Sequence, residues 1–265
     1  MKRVFVFVFA CVFLAACNRM VTGDNGKERA PVETRSYAVD GPYHELEVGR
    51  AFSVVMSDTV AEPSVSIAAD LHERVIFRIE EGTLVIGLKP GRYGNLDEAL
   101  VLLPYNPQLD EVELGGASHF SCNLPLVAAE VSINLSGAST FEGVVNASHE
   151  LDIEAGGASH ITAEIQVPTG NVDIELGGAS SATLKGTTNA LDMDVSGASN
   201  LNAVSLDAAS VRGEVGGASQ ADVLCCQSIA VDVSGVSHLT YGLVADGCAP
   251  TVNCRTSGAS TASQR

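Results

Sequence analysis

The chain has 265 residues, with 15 Lys plus Arg against 32 Asp plus Glu, a formal charge of −17, and no tryptophan. That balance excludes nucleic acid and anionic membrane surfaces as partners, since like charge repels both. The length fits one long domain or two small ones, and a 20-residue period in the larger, C-terminal part decides for one elongated unit.

Met1–Cys17 reads as an export signal: Lys2 and Arg3 start it, and Val4–Leu14 is an apolar run too short to span a bilayer. Leu14-Ala15-Ala16-Cys17 then has the form of a bacterial lipobox, which predicts cleavage before Cys17 and lipidation of its thiol. Loss of Lys2 and Arg3 with the signal takes the charge from −17 to −19. Residues 18–36 are polar, with Gly23, Gly26 and Pro31, and read as a flexible tether.

Residues 37–109 carry irregular alternating runs, among them His44–Val48, Ser64–Ile67, Val75–Ile79 and Thr83–Leu88, with a turn at Glu81-Gly82. They are expected to cap the regular repeats or to supply irregular first coils, because a terminal repeat must differ from the others.

From residue 110 onward a repeat takes over. Gly-Ala-Ser occurs at Gly116, Gly137, Gly157, Gly178, Gly197, Gly217 and Gly258, and as Gly-Val-Ser at Gly235, at steps of 21, 20, 21, 19, 20, 18 and 23 residues. Apolar residues stand two, four and six positions before these glycines and four after. Leu135, Ile133, Val131 and Phe141 illustrate this around Gly137, with polar residues between. Alternation of period two marks strands with one buried face, and a 20-residue period marks stacked coils that bury that face together. The fold expected is all-β: a parallel β-solenoid whose corners are the glycines. Parity leaves open whether the corner alanine or serine points inward. Eight equivalent serines argue against a nucleophile, which needs a unique setting beside a base.

The lipobox, Gly82-Thr-Leu-Val-Ile86, Ala99–Pro104 and Glu113-Leu-Gly-Gly-Ala-Ser118 with its repeats succeed one another along the chain. In that order they resemble the auto-transporter adhesin head (GIN) domain family, common in exported Bacteroidetes proteins. The resemblance runs from Tyr37 onward. It implies a right-handed β-solenoid (β-helix) of secreted or surface type, and transfers no catalytic residue.

Three groups of residues are candidates for chemistry. Glu113, Asn134, Glu154, Glu175, Asp194, Glu214 and Asp232 form one outward column, and Glu111, Ser132, Asp152, Asp173 and Asp192 another. Like charges about 5 Å apart repel by roughly 1 kcal/mol in water. Solvent and salt offset this on an ordinary charged face. A hard cation such as Ca²⁺ between Asp152, Glu154, Asp173, Glu175, Asp192 and Asp194 would offset it as well, and no other cofactor is implied. His119, Thr140, His160, Ser181, Asn200, Gln220, His238 and Thr261 form a polar outward column that could meet sugar hydroxyls or be plain surface decoration. Among the cysteines, Cys11 leaves with the signal, Cys248 and Cys254 are expected to pair in this oxidising location, and Cys122 is expected to be a buried free thiol. Cys225 falls in an inward column and Cys226 outward.

The expected protein is a non-catalytic solenoid, lipid-anchored to the cell envelope at the outer membrane, with an adhesin-like surface for glycan or protein. A scaffold without a ligand is the alternative. A polysaccharide-active enzyme comes third, since Lys185, Arg212, Arg255 and Arg265, the bases after residue 105, are scattered.

Overall fold

The computed structural model describes residues 30–93, 99–245 and 247–265. The export signal, Cys17 and most of the tether lie outside them. The chain forms a parallel β-solenoid of about eight turns with ~20-residue coils.

The first strands are β1 (Val32–Ser36), β2 (Glu45–Val48), β3 (Ser53–Ser57) and β4 (Ser64–Ala68). A 3₁₀ turn at Ala69–Arg74 leads to β5 (Val75–Glu80), β6 (Thr83–Leu88), β7 (Leu100–Pro104) and β8 (Glu111–Leu114). Long strands come next: β9 (His119–Leu135), β10 (Thr140–Ala155), β11 (His160–Leu176), β12 (Ser181–Val195), β13 (Asn200–Val215) and β14 (Gln220–Val233). The stack ends with β15 (His238–Leu243), β16 (Thr251–Val252), β17 (Arg255–Thr256) and β18 (Thr261–Gln264).

The coils stack out of chain order at the N-terminal end. β2 pairs in parallel with β6 on one side and β8 on the other, and β3 likewise with β7 and β9. The spatial order is therefore β6/β7, then β2/β3, then β8/β9: the chain starts in the second rung, lays the first beneath it, and returns above. β5 turns back antiparallel on β6 through Glu81-Gly82, both at positive φ, while β4 runs antiparallel to β7 and β1 to β4. Residues 37–109 thus hold strands of the first two rungs together with the antiparallel strands β4 and β5. Val32–Ser36, which composition assigns to the flexible tether, is a strand: its backbone finds a ladder partner in Ser64–Ala68, and polar side chains suit its exposed position.

From β9 to β14 the register is the one set by the glycine period, for example Thr140↔His160, Leu151↔Val172 and Ala155↔Leu176. The inward strand columns fill the interior mainly with aliphatic and aromatic side chains. Phe120 and Phe141 are fully buried and stack at 5.4 Å between ring centroids. Each such side chain stabilises the coil by roughly 1.5–3 kcal/mol, which no single coil could gain alone.

The corners explain the repeat. Gly178 has φ +72, and a Cβ there would lie 2.4 Å from the Gly157 carbonyl oxygen. The same contact recurs from Gly116 to Gly235. Beneath Gly116 stands Arg50, itself at φ 77. Gly49-Arg50-Ala51-Phe52 is therefore another corner, in register with Gly115–Ser118. The rung below ends its pairing with β2 at Ile86, whose carbonyl accepts from Gly49 N–H. The Arg50 guanidinium lies 5.9 Å from the Tyr93 ring centroid.

Candidate functional site

The corner serines point inward: Ser118, Ser139, Ser159, Ser180, Ser199, Ser219 and Ser237 are all buried. Ser139, Ser159 and Ser180 each donate from Oγ to the carbonyl three residues back, at 2.8 Å, closing the turn. Further along the stack the contact changes, and the Ser219 and Ser237 hydroxyls accept from the backbone N–H of the preceding rung's serine. Ser199 Oγ is buried without a hydrogen-bond partner, and all seven hydroxyls sit out of a substrate's reach.

The face before the corners is acidic. Glu45, Glu111, Ser132, Asp152, Asp173, Asp192 and Arg212 stand in one column, and Glu47, Glu113, Asn134, Glu154, Glu175, Asp194 and Glu214 in the next. Glu45 and Glu47 are members that counting back from the glycines does not reach. Glu45-Leu-Glu-Val-Gly49 has the pattern of Glu111-Val-Glu-Leu-Gly115, and that signal could have found them. Arg212 terminates one column, its Nε donating to Asp192 Oδ2 at 2.7 Å. A shallow groove of about 400 Å³ runs along Glu113, Glu154, Glu175 and Asp194 beside the corners. The carboxylates stand in file and do not converge: among the described residues no three His, Cys, Asp or Glu side chains are disposed to hold a metal ion.

Partial burial raises the Asp173 carboxyl above its ordinary value, with Asp192, Asp152 and Glu150 adding to the rise and Arg212 opposing it. Glu175 is raised by the same desolvation, then by Glu154, Asp194, Asp173 and Asp152. A raised carboxyl pKa means the folded chain holds the proton more tightly than the unfolded one. Its contribution to stability is present below the ordinary values of 3.8 and 4.5 and is lost as pH rises through the folded values. At neutral pH these groups oppose folding. Glu175→Gln is therefore expected to raise the melting temperature at pH 7 by about 1–3 °C, the scale of one exposed like-charge pair. The gain should vanish at pH 3.5. Calorimetry at the two pH values checks this, and equal shifts at both would refute the repulsion.

The face after the corners is mostly uncharged and polar. His119, Thr140, His160, Ser181, Asn200, Gln220, His238 and Thr261 are successive rungs in register. His160 Nδ1 is 2.7 Å from Ser181 Oγ, and its Nε2 is 3.3 Å from Thr162 Oγ1. Gln220 Nε2 donates to Asp222 Oδ2 at 2.7 Å.

The cap holds a concave feature of a different kind. A groove of about 730 Å³ opens between the segment joining β1 to β2, the residues preceding β4 and the turn joining β7 to β8. Tyr37, Tyr43 and Tyr105 line it with Val39, Pro42, Pro63 and Pro104, and Ser36, Glu62, Asn106 and Gln108 contribute polar groups. No sequence motif signals it, because its walls lie far apart in the chain.

The cysteines correct one expectation. Cys226 bonds Cys248, and Cys254 remains free. Cys226 lies outward on β14, where the loop before β16 brings Cys248 to a Cα–Cα distance of 4.8 Å. Cys254 occupies an inward column and packs on the core. Cys122 is a buried free thiol, as expected, and burial raises its pKa.

Several solved structures share this architecture. A "putative adhesin" from Parabacteroides merdae matches with TM-score 0.76 and 19% identity, over 91% of this chain and 97% of that one. A "putative lipid binding protein" from Parabacteroides distasonis matches with TM-score 0.73 and 21% identity, over 88% and 96%. A "putative adhesin" from the same organism matches with TM-score 0.72 and 19% identity, over 89% and 98%. At such identities the likeness is one of fold. No curated protein matches in sequence. The family model described as "Putative auto-transporter adhesin, head GIN domain" matches residues 42–242, from the cap through the regular coils. With most of its length inside that match, the chain belongs to the auto-transporter adhesin head GIN domain family.

Proposed function

We propose that this chain is an exported, lipid-anchored envelope protein that presents a non-catalytic, adhesin-like surface to extended glycans or envelope proteins. The observation that carries the reading is the division of the solenoid into two faces. One is acidic and self-repelling, and the other carries the in-register column from His119 to His238. A rung spacing of about 4.8 Å offers repeated hydrogen-bonding groups to a polymer lying along the stack. Many weak contacts add up to avidity. The family match supports an adhesin-like role, and Leu14–Cys17 supports the anchor. The corner serines, each hidden in its own turn, fit a surface that binds and does not transform.

The test is a polysaccharide array together with a pull-down from envelope extract, using soluble protein from residue 18 and a variant carrying His119→Ala, His160→Ala and Asn200→Ala. Retention of a long polymer or an envelope protein by the parent, lost in the variant, is expected. Undiminished binding by the variant would refute this placement, and silence in both assays would favour a scaffold.

A further inference from the structure

We propose that the tyrosine-lined groove of the cap is a binding site for a short neutral saccharide, separate from the outward polar column. It rests on the adhesin-like reading only for the general class of partner.

The composition is the first argument. The chain has five tyrosines and no tryptophan, and three of the five tyrosines, Tyr37, Tyr43 and Tyr105, line this one groove. Nothing in the solenoid period demands them there. The groove's volume of about 730 Å³ falls in the range of built small-molecule sites.

Its geometry is the second. The Tyr105 hydroxyl donates to the Pro125 carbonyl at 2.6 Å, and the Tyr37 hydroxyl sits 3.1 Å from His72 Nδ1. These hydroxyls are tied to the protein, so the rings are fixed and offer the groove their apolar surfaces. The walls are tied as well. Tyr37 N–H donates to the Pro63 carbonyl at 3.0 Å, Tyr105 N–H to the Ser57 carbonyl at 3.0 Å, and Asn106 Nδ2 to the Tyr43 carbonyl at 2.8 Å. A site ordered before its ligand arrives loses less entropy on binding.

Chemistry selects the occupant. A sugar ring has an apolar C–H face and an edge of hydroxyls that both donate and accept. The aromatic floor suits the face, and Glu62 and Gln108 on the exposed rim suit the edge. Among the described residues no lysine or arginine lines the groove, so a uronate, sulfate or phosphate would meet no cation there. The chain's −17 would repel it besides. A proline-rich peptide also docks on aromatic grooves. Its solvated carbonyls require donors, and here the Tyr37 and Tyr105 hydroxyls are already engaged.

The test titrates the soluble chain with methyl glycosides and with di- and trisaccharides of glucose, galactose, mannose and N-acetylglucosamine. Tyrosine emission and saturation-transfer NMR report binding. Saturable binding is expected for at least one sugar. Ala38→Arg, an exposed wall position, should abolish it by filling the groove without touching the core. Tyr105→Ala should weaken it about tenfold or more, and Tyr105→Phe, which keeps the ring, should stay within about threefold of the parent. The column variant with alanine at His119, His160 and Asn200 should bind these short sugars unchanged. No response to any sugar, binding that survives Ala38→Arg, or a proline-rich peptide displacing the sugar at lower concentration would each overturn the proposal. Polymer binding through the column could stand in all three cases.

Discussion

Gly178→Ala is expected to melt well below the parent chain, and Gly177→Ala, one residue away, to melt with it. The two glycines sit in the same corner but face different surroundings. Gly178 has φ +72, where any side chain costs roughly 1–2 kcal/mol. A Cβ would also lie 2.4 Å from the Gly157 carbonyl oxygen, below contact distance. That oxygen accepts from Ala179 N–H at 2.7 Å, so it cannot retreat without breaking the corner ladder. Strain and displacement together should cost about 3 kcal/mol, a fall of about 6–12 °C for a domain of this size. Gly177 has ordinary backbone angles, and a Cβ there meets nothing within 4 Å. Denaturant titration of both variants checks the contrast. Equal losses would mean that stacking, and not the left-handed corner, demands the glycine.

Reduction of Cys226–Cys248 is expected to release the last coil while the coils from β8 to β14 stay folded. The bond closes a loop with a sequence separation of 22, for which chain entropy gives about 3 kcal/mol. The ladder it supports is thin: β16 and β17 meet β14 through Ser228↔Thr251, Ile229↔Val252, Asp232↔Arg255 and Val233↔Thr256. Trypsin should therefore cut after Arg255 within minutes of reduction and slowly before it, a difference mass spectrometry resolves. Cys226→Ser should behave like the reduced chain and Cys254→Ser like the oxidised parent. If Cys254→Ser instead exposed Arg255, the bridge would be the 248–254 one that loop length alone suggests.

The regular coils are legible in the residues because three signals agree: period two for strands, period 20 for coils, and one glycine per corner. Agreement of local and global pattern makes such a stack readable. It places the acidic and polar columns rung by rung. Where one signal is lost, legibility ends. Arg50 and Phe52 replace the glycine and serine of the second rung, so its Glu45 and Glu47 go uncounted. Parity does not settle the inward serine, because the corner turn shifts the alternation. The pairing of Cys226 depends on where the irregular loop before β16 crosses β14, which no period encodes. The tyrosine groove joins residues 36–43, 62–63 and 104–108, and only the inverted stacking of the first two rungs brings these together.

That inversion bears on assembly. A solenoid laid down in chain order could grow as it emerges during export, each new turn templated on the last. Here Glu45–Val48 and Ser53–Ser57 lack neighbours on both sides until Thr83–Pro104 and then Glu111–Cys122 have arrived. These early strands must wait, unzipped, for more than half a hundred later residues, and such distant closures are slow. The regular middle has only local closures to make, so zipping should begin there and run backwards to seal the cap last.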